Sequence, residues 1–413
     1  MSADGGSDSH NGLSPFGPVA TISRALSIAA SSRRTIIALG PGTYVESVTL
    51  GSAASGSTLT GGYQLDWSPD CSPSARQGTV LEGGGFGLRV NNLSGPELTV
   101  AHLTIRSGSS SMKGGSTYGV FVSAGNVALD DVVVEAAPAE HGASLGPPLP
   151  ATGTRPCAGV LDCTNGSPGP RGTTGRASDG GWFTPTGWEP GNGSSGINGA
   201  VGNNGTPPPL APSQPSCIGN CTGASPCDNG NLFCGVIGPI TVTSGRGSCG
   251  CGGLGGVAGA GGTGGGASVA LFAVDGSSVR VWNSLLRSGP GGSGGSGADG
   301  GAGAPGALGG RGLGTTCHSF IGASSSCGRN ACPDNCEAIS PVVTIAGGSD
   351  GGTGGPGGQG GPGGGGSGGA SVGVVSLGSS MLIDGVTVIT PGTGGPGADG
   401  AQGGFSAPML LIP

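Results

Sequence analysis

The chain has 413 residues, of which 99 are glycine and 32 are proline, a composition typical of collagen-like or low-complexity proteins. Charged residues make up only 9% and the mean hydropathy is slightly positive, whereas disordered chains stay solvated through high charge. The net charge of −7 disfavours a nucleic-acid partner, which requires a basic patch. No apolar run reaches the length of a membrane span. We therefore expect an ordered protein that neither binds nucleic acid nor inserts into a membrane.

Residues 1–34 predict a polar tail followed by a short amphipathic helix. The start, Met1-Ser-Ala-Asp-Gly-Gly, is small and polar, so we expect no signal peptide in this chain. Asp4, Asp8 and Asn11 offer the oxygen ligands that calcium prefers, and the alternative is a solvated tail. Apolar side chains then recur at helical spacing at Ile22, Ala25, Leu26 and Ala29.

Two short strands follow, separated by the turn Gly40-Pro41-Gly42. The first is Thr35–Leu39, and the second, Tyr44–Leu50, largely alternates apolar and polar residues. Together with the helix and Gly61-Gly62-Tyr63, this opening resembles the start of pectin-lyase-like right-handed parallel β-helices of bacterial surfaces. The resemblance covers about the first 65 residues and implies a solenoid whose first coil is capped by the helix.

A unit of about twenty residues then recurs along the chain. Each unit joins a short apolar strand to a longer apolar segment, as in Gly87–Val90 with Leu98–Ile105. Later units begin at Gly119, Ser268 and Ser371. Such a unit buries its apolar face only by stacking on its neighbours. The sequence therefore predicts an all-β protein, a right-handed parallel β-helix of about six coils.

Glycine recurs at every third position in six stretches: 166–175, 193–205, 247–265, 291–312, 348–369 and 394–403. Polyproline II has three residues per turn and no internal hydrogen bonds. Without a Cβ, such helices approach closely enough to bond to each other through their backbones. We predict a bundle of about six polyglycine-II helices, inserted between the coils, in which 291–312 and 348–369 pair antiparallel.

Bundles of this kind are similar to those of snow-flea antifreeze proteins and of some phage tail-tip adhesins. The alternatives are a collagen triple helix, for which the runs are short and interrupted, and flexible linkers, which have no reason to keep a strict period. An ice-binding surface would need regular ranks of threonine, and the strands offer only a few: Thr99, Thr104, Thr387 and Thr390.

These patterns divide the chain into segments. The predicted segments are the tail and capping helix (1–34), the first β-helix coils (35–137), a glycine- and cysteine-rich insertion (138–266), a β-helix coil (267–288), a second such insertion (289–369), and the last coil with the final glycine-rich run and a C-terminal cap (370–413). Both insertions leave the solenoid at the same point of the repeat, after its last strand.

Twelve of the thirteen cysteines lie in the two insertions, in even-numbered clusters. Even clusters in loop-like sequence predict disulfides formed in an oxidising compartment. Zinc is the alternative, with Cys317-His318, Cys332 and Cys336 as ligands. Cys71 stands alone, and we leave it unassigned. The predicted disulfide cysteines are Cys157, Cys163, Cys217, Cys221, Cys227, Cys234, Cys249, Cys251, Cys317, Cys327, Cys332 and Cys336.

Few residues point to catalysis. An active relative of the pectate lyases or polygalacturonases would need carboxylates and a basic residue on one face of the solenoid. The candidates in or beside the repeated strands are Asp130, Asp131, Glu135, Asp384 and His102. Adjacent carboxylates on a strand point to opposite faces, and the pattern does not align Asp131 with Asp384. His102, in the predicted strand Leu98–Ile105, is interpreted as a surface residue of the solenoid.

The first insertion contains the aromatic sequence Trp182-Phe183-Thr-Pro-Thr-Gly-Trp188. Exposed aromatic rings on a loop suit a sugar ring or a protein partner, so Trp182, Phe183 and Trp188 are the candidate binding residues. The alternative is a small core for a segment that has few other apolar side chains.

The sequence thus predicts a secreted or cell-surface protein with a structural or adhesive role. In this interpretation, a rigid β-helix and polyglycine-II scaffold displays disulfide-rich tips that bind a glycan or a protein. One alternative is a polysaccharide lyase or glycoside hydrolase of the pectin-lyase-like type. Another is a subunit of an extracellular filament or coat, which would self-associate. Apart from the calcium alternative, no cofactor is expected.

Overall fold

The computed structural model describes residues 1–70, 72, 75–155, 165–205, 247–274, 276–313, 315–318, 342–345 and 349–413. Helix α1 (Ile22–Ser32) precedes the strands, α2 (Ala75–Gly78) is a single turn, and a 3₁₀ turn spans Ser52–Ala54. Most other described residues belong to three parallel sheets or to glycine-rich runs. The predicted N-terminal helix is therefore confirmed.

Each of the three parallel sheets has six strands. Sheet A contains β1 (Ile36–Ala38), β4 (Thr58–Thr60), β7 (Leu98–Ala101), β10 (Gly125–Asp130), β15 (Ser277–Trp282) and β20 (Ser380–Ile383). Sheet B contains β2 (Gly42–Val45), β5 (Thr79–Gly83), β8 (Thr104–Ser107), β11 (Val133–Ala136), β16 (Leu285–Ser288) and β21 (Val388–Thr390). Sheet C contains β3 (Val48–Leu50), β6 (Phe86–Asn91), β9 (Thr117–Ser123), β14 (Ser268–Val274), β19 (Ser371–Leu377) and β22 (Ser406–Ile412).

Consecutive strands of these sheets visit A, B and C in rotation. Equivalent positions of the repeated unit lie side by side, so that Val127 pairs with Val279 in sheet A and Val134 with Leu286 in sheet B. Stacking of equivalent strands is how a solenoid repeat buries its apolar face. The arrangement is compatible with a parallel β-helix or a similar solenoid.

The interior enclosed by the sheets is aliphatic. In β10, buried Val127 and Leu129 alternate with exposed Asn126 and Asp130, as expected for a strand with one face in the core. The same inner cluster takes Val134 from sheet B. Burial of one such side chain stabilises the fold by about 1.5–3 kcal/mol, and the repeated strands supply many of them.

Sheet C is buried on both faces. All seven residues of β14 are buried, a pattern typical of strands covered on both sides. Leu271 belongs to the inner cluster, whereas Phe272 belongs to a second, outer cluster that includes Phe121 and Tyr118. The rings of Phe121 and Phe272 stack with their centroids 5.0 Å apart. Sheet C is therefore a wall shared by two apolar cores.

All three glycine-rich insertions leave the solenoid after a sheet B strand and return before a sheet C strand. They connect β11 to β14, β16 to β19 and β21 to β22. The first contains the antiparallel hairpin of β12 (Trp182–Thr184) and β13 (Gly187–Glu189), and the second contains the antiparallel pair β17 (Thr315–His318) and β18 (Val342–Ile345). The common exit point agrees with the sequence prediction.

The glycine runs lie side by side and exchange backbone hydrogen bonds at every third residue along most of their length. Together with the neighbouring segment 140–155, we call them the glycine-run assembly (residues 140–155, 166–178, 191–205, 247–266, 291–310, 349–369 and 393–404). Run 349–369 has the most neighbours. Gly357 donates to Ala304 O at 2.9 Å, Gly358 donates to Ala200 O at 2.8 Å, and Gln359 O accepts from Gly172 at 2.8 Å. Runs 291–310 and 349–369 are antiparallel, as the sequence predicts.

The position of a run explains how many glycines it needs. A Cβ on Gly357 would lie 1.9 Å from Leu254 O, and one on Gly358 would lie 2.0 Å from Pro170 O. Run 349–369 meets neighbours on more than one side, and it has two glycines in most triplets. Run 166–175 has a single glycine per triplet. The Gly-Gly-x pattern therefore marks an inner run, a distinction that we did not predict.

Candidate functional site

The described residues that flank the cysteine-rich stretches of the insertions lie at one end of the glycine-run assembly, opposite the solenoid. Residues that precede or follow 156–164, 206–246 and 313–349, the last of which contains 319–341, are hydrogen-bonded near that end. The bonds run from Arg155 N to Gly252 O (2.9 Å), from Thr353 N to Asn165 Oδ1 (3.0 Å), from Gly205 N to Gly250 O (3.0 Å) and from Gly312 N to Asp350 Oδ1 (3.1 Å). The glycine runs thus carry these segments to a common end.

Nine of the twelve predicted disulfide cysteines lie outside the described residues, and so does the side chain of Cys317. The other two, Cys249 and Cys251, lie in run 247–266 near the same end, and each takes part in a disulfide. The zinc alternative also falls on side chains outside the described residues, as does Cys71. The complete disulfide set stays a prediction.

The aromatic hairpin β12–β13 packs on the outer face of sheet C. Phe183 and Trp188 are 9% and 7% exposed, and their rings contact each other edge to face at 4.9 Å. Trp188 Nε1 donates to Gly265 O at 3.0 Å, and its backbone N–H donates to the Tyr118 hydroxyl at 2.7 Å. Burial raises the pKa of the Tyr118 phenol.

These contacts bury two of the three candidate binding residues, and the part of all three in binding stays a prediction. Phe183 and Trp188 form the small core that was the alternative, and only Trp182, 57% exposed, has an accessible ring. Phe183 and Trp188 are cross-strand partners, whereas Trp182 faces Glu189. Side chains alternate between the two faces along a strand. The positions of these residues in the hairpin could therefore have predicted that Trp182 lies on the opposite face from Phe183 and Trp188.

A polar column lies along the turns between sheets A and B and comprises Arg76, His102, Asp131, Asn283 and Asp384. Asp131 Oδ2 lies 3.1 Å from His102 Nδ1, and Asp131 Oδ1 accepts from Arg76 and from Asn283 Nδ2. The Asn283 backbone N–H donates to Asp384 Oδ2 at 3.0 Å. Asp131 and Asp384 are therefore linked through Asn283, an alignment that the sequence analysis missed.

His102 and Asp131 lie in turns rather than in the strands that the sequence predicts. Strand β7 ends before His102, and both residues, like Asn283, have left-handed backbone with φ of 52°, 52° and 43°. A residue in that region interrupts the extended backbone of a strand, and side-chain patterning does not reveal it. Arg76 and Asn283 were not predicted to be site residues, and no local motif marks them.

The polar column has one feature of an acid–base site, because a carboxylate contacts a half-exposed imidazole. Both carboxylates of the column, however, already accept hydrogen bonds from other residues of the protein. Asp384 Oδ1 accepts from the hydroxyl and backbone N–H of Thr387, and these donors together with the Asn283 N–H hold the pKa of Asp384 below its usual range. A network in which each polar group is hydrogen-bonded to another is also typical of a structural role, because it stabilises the stacked left-handed turns.

The remaining predicted residues lie elsewhere. Asp130 is exposed at the end of β10. Glu135 is part of a charged row on the outer face of sheet B, where it accepts from Arg106 at 2.9 Å and lies 3.6 Å from Arg287. Exposed ion pairs of this kind contribute about 0–1 kcal/mol. Neither residue joins the polar column.

Two of the tail residues considered for calcium, Asp8 and Asn11, accept hydrogen bonds from the tail and from the N-cap of helix α1. Asp8 accepts from the backbone N–H groups of Ala20 and Thr21, both at 3.0 Å, and from the Thr21 hydroxyl. These bonds lower the pKa of Asp8. Asn11 Oδ1 accepts from Leu13 N, and Asp4 is exposed. In the described part of the chain, no group of three or more His, Cys, Asp or Glu residues is placed to hold a metal.

A cavity of about 230 Å³ lies between the tail, helix α1 and β1. Its walls include the apolar side chains of Leu13, Val19, Ile28 and Trp67, with Arg34 as a charged member. None of the residues that the sequence analysis proposed for binding or catalysis lines it. The cavity therefore does not extend the polar column or the aromatic hairpin.

No family model matches this chain, and comparisons with the curated proteins and with the solved structures also give no match. The resemblance to pectin-lyase-like proteins therefore depends on the N-terminal motifs and on the parallel sheets. Among the helices that the structure describes, none combines the length and hydropathy needed to cross a bilayer.

Proposed function

We propose that this chain is a secreted or cell-surface scaffold that presents its cysteine-rich segments to a glycan or a protein. In this proposal, the sheets form a right-handed parallel β-helix of about six coils and the glycine runs are polyglycine-II helices. The observation that carries the proposal is a convergence at one end of the glycine-run assembly. The residues that precede or follow 156–164, 206–246 and 313–349 meet there.

The hydrogen-bond pattern supports a rigid scaffold. Polyproline II makes no bonds within its own helix, so each run depends on its neighbours, and the period-three bonds between runs meet that requirement. At ~3.1 Å per residue, run 349–369 would reach roughly 65 Å from the solenoid. Ordering glycine is entropically unfavourable, and disulfides among the cysteines would offset part of this by constraining the unfolded chain.

The aromatic hairpin supports a fixed orientation of the scaffold. Phe183 and Trp188 belong to the same apolar cluster as Phe272 of sheet C. Trp188 also donates to Gly265 O in run 247–266. One side chain thus joins the solenoid, the hairpin and the glycine runs, which favours a single arrangement over a hinged one.

The experiment replaces residues 206–246 and 319–341 by short glycine–serine linkers and compares binding to glycan and protein arrays. We expect array binding to be lost while the backbone amides of run 349–369 keep their protection from hydrogen exchange. Retained binding with an intact exchange pattern would contradict the display function. Trp182→Ala serves as a separate variant, because it removes the exposed ring without disturbing the buried hairpin core.

The polar column favours a second candidate, a carbohydrate-active enzyme of the pectin-lyase-like type. His102 and Asp131 would act as an acid–base pair, with Arg76 beside them. The test is the release of unsaturated or reducing ends from acidic and neutral polysaccharides. Turnover that His102→Ala and Asp131→Asn both abolish, in folded variants, would replace the scaffold proposal by the enzyme.

The filament alternative is favoured by the edge formed by β20, β21 and β22, each of which ends its sheet among the strands that the structure describes. Leu382, Val388 and Leu411 are more than half exposed there. One residue of this edge argues against the filament: Pro408 lies in β22 and lacks the N–H that edge-to-edge pairing requires. Sedimentation over a range of protein concentrations distinguishes the scaffold from the filament. The sedimenting mass of a monomeric scaffold stays constant, whereas that of a filament-forming subunit increases with concentration.

A further inference from the structure

The last glycine run occupies a groove between two longer runs. Residues 393–398, Thr-Gly-Gly-Pro-Gly-Ala, lie between run 291–310 and run 349–369. They accept from the first run and donate to the second. The bonds run from Gly291 N to Thr393 O (2.9 Å), from Gly294 N to Pro396 O (2.9 Å), from Gly395 N to Gly369 O (2.9 Å) and from Ala398 N to Gly366 O (3.0 Å).

This short run ends before the groove does. Asp399 and Gly400 have positive φ, 48° and 79°, and turn the chain back. The carboxylate of Asp399 accepts from Gly297 N at 2.8 Å, which places a side chain where the next carbonyl of the run would lie. Beyond Gly297, the two longer runs continue side by side towards the cysteine-rich end, and in the described part of the chain no third run covers this side of them.

We call the uncovered part of the groove the open track. Among the described residues, no hydrogen bond reaches the N–H groups that continue one wall or the carbonyl groups that continue the other. The free N–H groups belong to Gly300, Gly303, Gly306 and Gly309, and the free carbonyls to Gly354, Gly357, Gly360 and Gly363. Each series is the direct continuation of one that residues 393–398 use.

Free backbone groups in partly buried positions are uncommon in folded proteins because leaving them unpaired is costly. The glycines of the open track are buried or half-buried. Their free groups recur at every third residue, which matches the three residues per turn of polyproline II and not the period of two of a β-strand. From Gly300 to Gly309 the track would hold about nine residues, roughly 28 Å.

We propose that the open track binds an extended, glycine- and proline-rich segment of a partner protein in the polyproline II conformation. The occupant chemistry follows from the segment already seated in the same groove. A Cβ on Gly395 would lie 2.0 Å from Gly292 O, so the occupant needs glycine at its close contacts. No charged group is required for the backbone bonds. This binding surface is independent of the cysteine-rich end and of the display function.

The test uses the full chain and a synthetic peptide that repeats Thr-Gly-Gly-Pro-Gly-Ala. Amide hydrogen exchange is followed by NMR at Gly303, Gly306 and Gly309, which have no acceptor among the described residues, and at Ala304, which donates to Leu254 O. Without peptide, the three glycine amides exchange freely and Ala304 is protected. Saturating peptide is expected to slow exchange at the three glycines at least about tenfold and to leave Ala304 unchanged.

Gln359 provides the matched variants. Its side chain is exposed and donates to Gly300 O at 3.2 Å across the groove. Gln359→Trp is expected to block the groove and to abolish the peptide-induced protection. Thr174→Trp, an exposed position on run 166–178, is expected to retain it. Gln359→Ala should bind at least as well as the unchanged chain.

Three results would overturn the proposal. The first is slow exchange at Gly303, Gly306 and Gly309 before peptide is added. The second is unchanged exchange at saturating peptide. The third is protection that appears without peptide as the protein concentration rises, which would assign the track to a second copy of this chain.

Discussion

The solenoid and the glycine-run assembly use opposite means to become ordered. The sheets bury aliphatic side chains, and strands such as β10 place alternate residues in a common core. The glycine runs bury almost no side chains and depend on bonds between backbones that approach closely because the Cβ is absent. Removing methyl groups should therefore damage the first region, whereas adding one should damage the second.

The largest expected effect is at the junction of the two regions. Phe272→Ala removes a fully buried ring that contacts Phe121 and Phe183, and we expect a loss of about 4 kcal/mol in the free energy of unfolding. Chemical denaturation measures it. Leu308→Ala, at a side chain that is exposed in run 291–310, is the control and should change stability by less than about 0.5 kcal/mol. Equal effects would mean that the two regions do not share this core.

Adding a methyl group to an inner run tests the other half of the comparison. In Gly358→Ala, the new Cβ would lie 2.0 Å from Pro170 O, so we expect a loss of about 3 kcal/mol, as in severe overpacking. Faster exchange at neighbouring glycine amides should accompany it. Gly146→Ala, where no atom lies within 4 Å of the added Cβ, should be neutral. A stable Gly358→Ala variant would contradict the close packing of the runs.

The polar column tests whether side chains other than aliphatic ones stabilise the solenoid. Asp131→Ala removes the acceptor of Arg76, Asn283 and His102, and we expect a loss of about 1–2 kcal/mol because partly buried donors lose their partner. Glu135→Ala removes only surface ion pairs and should cost less than about 1 kcal/mol. Thermal unfolding compares them, and the reverse order would argue against a structural role for the column.

The smallest effect is the pH dependence contributed by Asp384. Hydrogen bonds from Thr387 and Asn283 lower its pKa in the folded state. A lowered folded pKa stabilises the protein above the pKa of the unfolded carboxyl, and this contribution is lost as the pH falls through the folded value. The stability difference between the unchanged chain and Asp384→Asn should thus shrink in acid. Asp130→Asn controls for the loss of one negative charge. If the stability difference caused by Asp384→Asn did not change with pH, the lowered pKa of Asp384 would be contradicted.

The sequence by itself determined the local periods and their boundaries. A period of two with β-branched and aliphatic residues predicted the strands, because alternate side chains must reach one core. The recurrence of units such as Leu98–Ile105 predicted stacking, because one unit alone has no partner for its apolar face. A period of three without side chains predicted runs that bond to each other, because polyproline II leaves its backbone groups free.

Only the tertiary structure decided which neighbours each residue meets. The central place of run 349–369, the burial of Phe183 and Trp188, and the link from Asp131 to Asp384 through Asn283 all join residues far apart in the chain. Local patterns report the period and the exposed or buried face of a segment. They do not specify the partner, because several runs and turns share the same pattern and long-range packing selects among them.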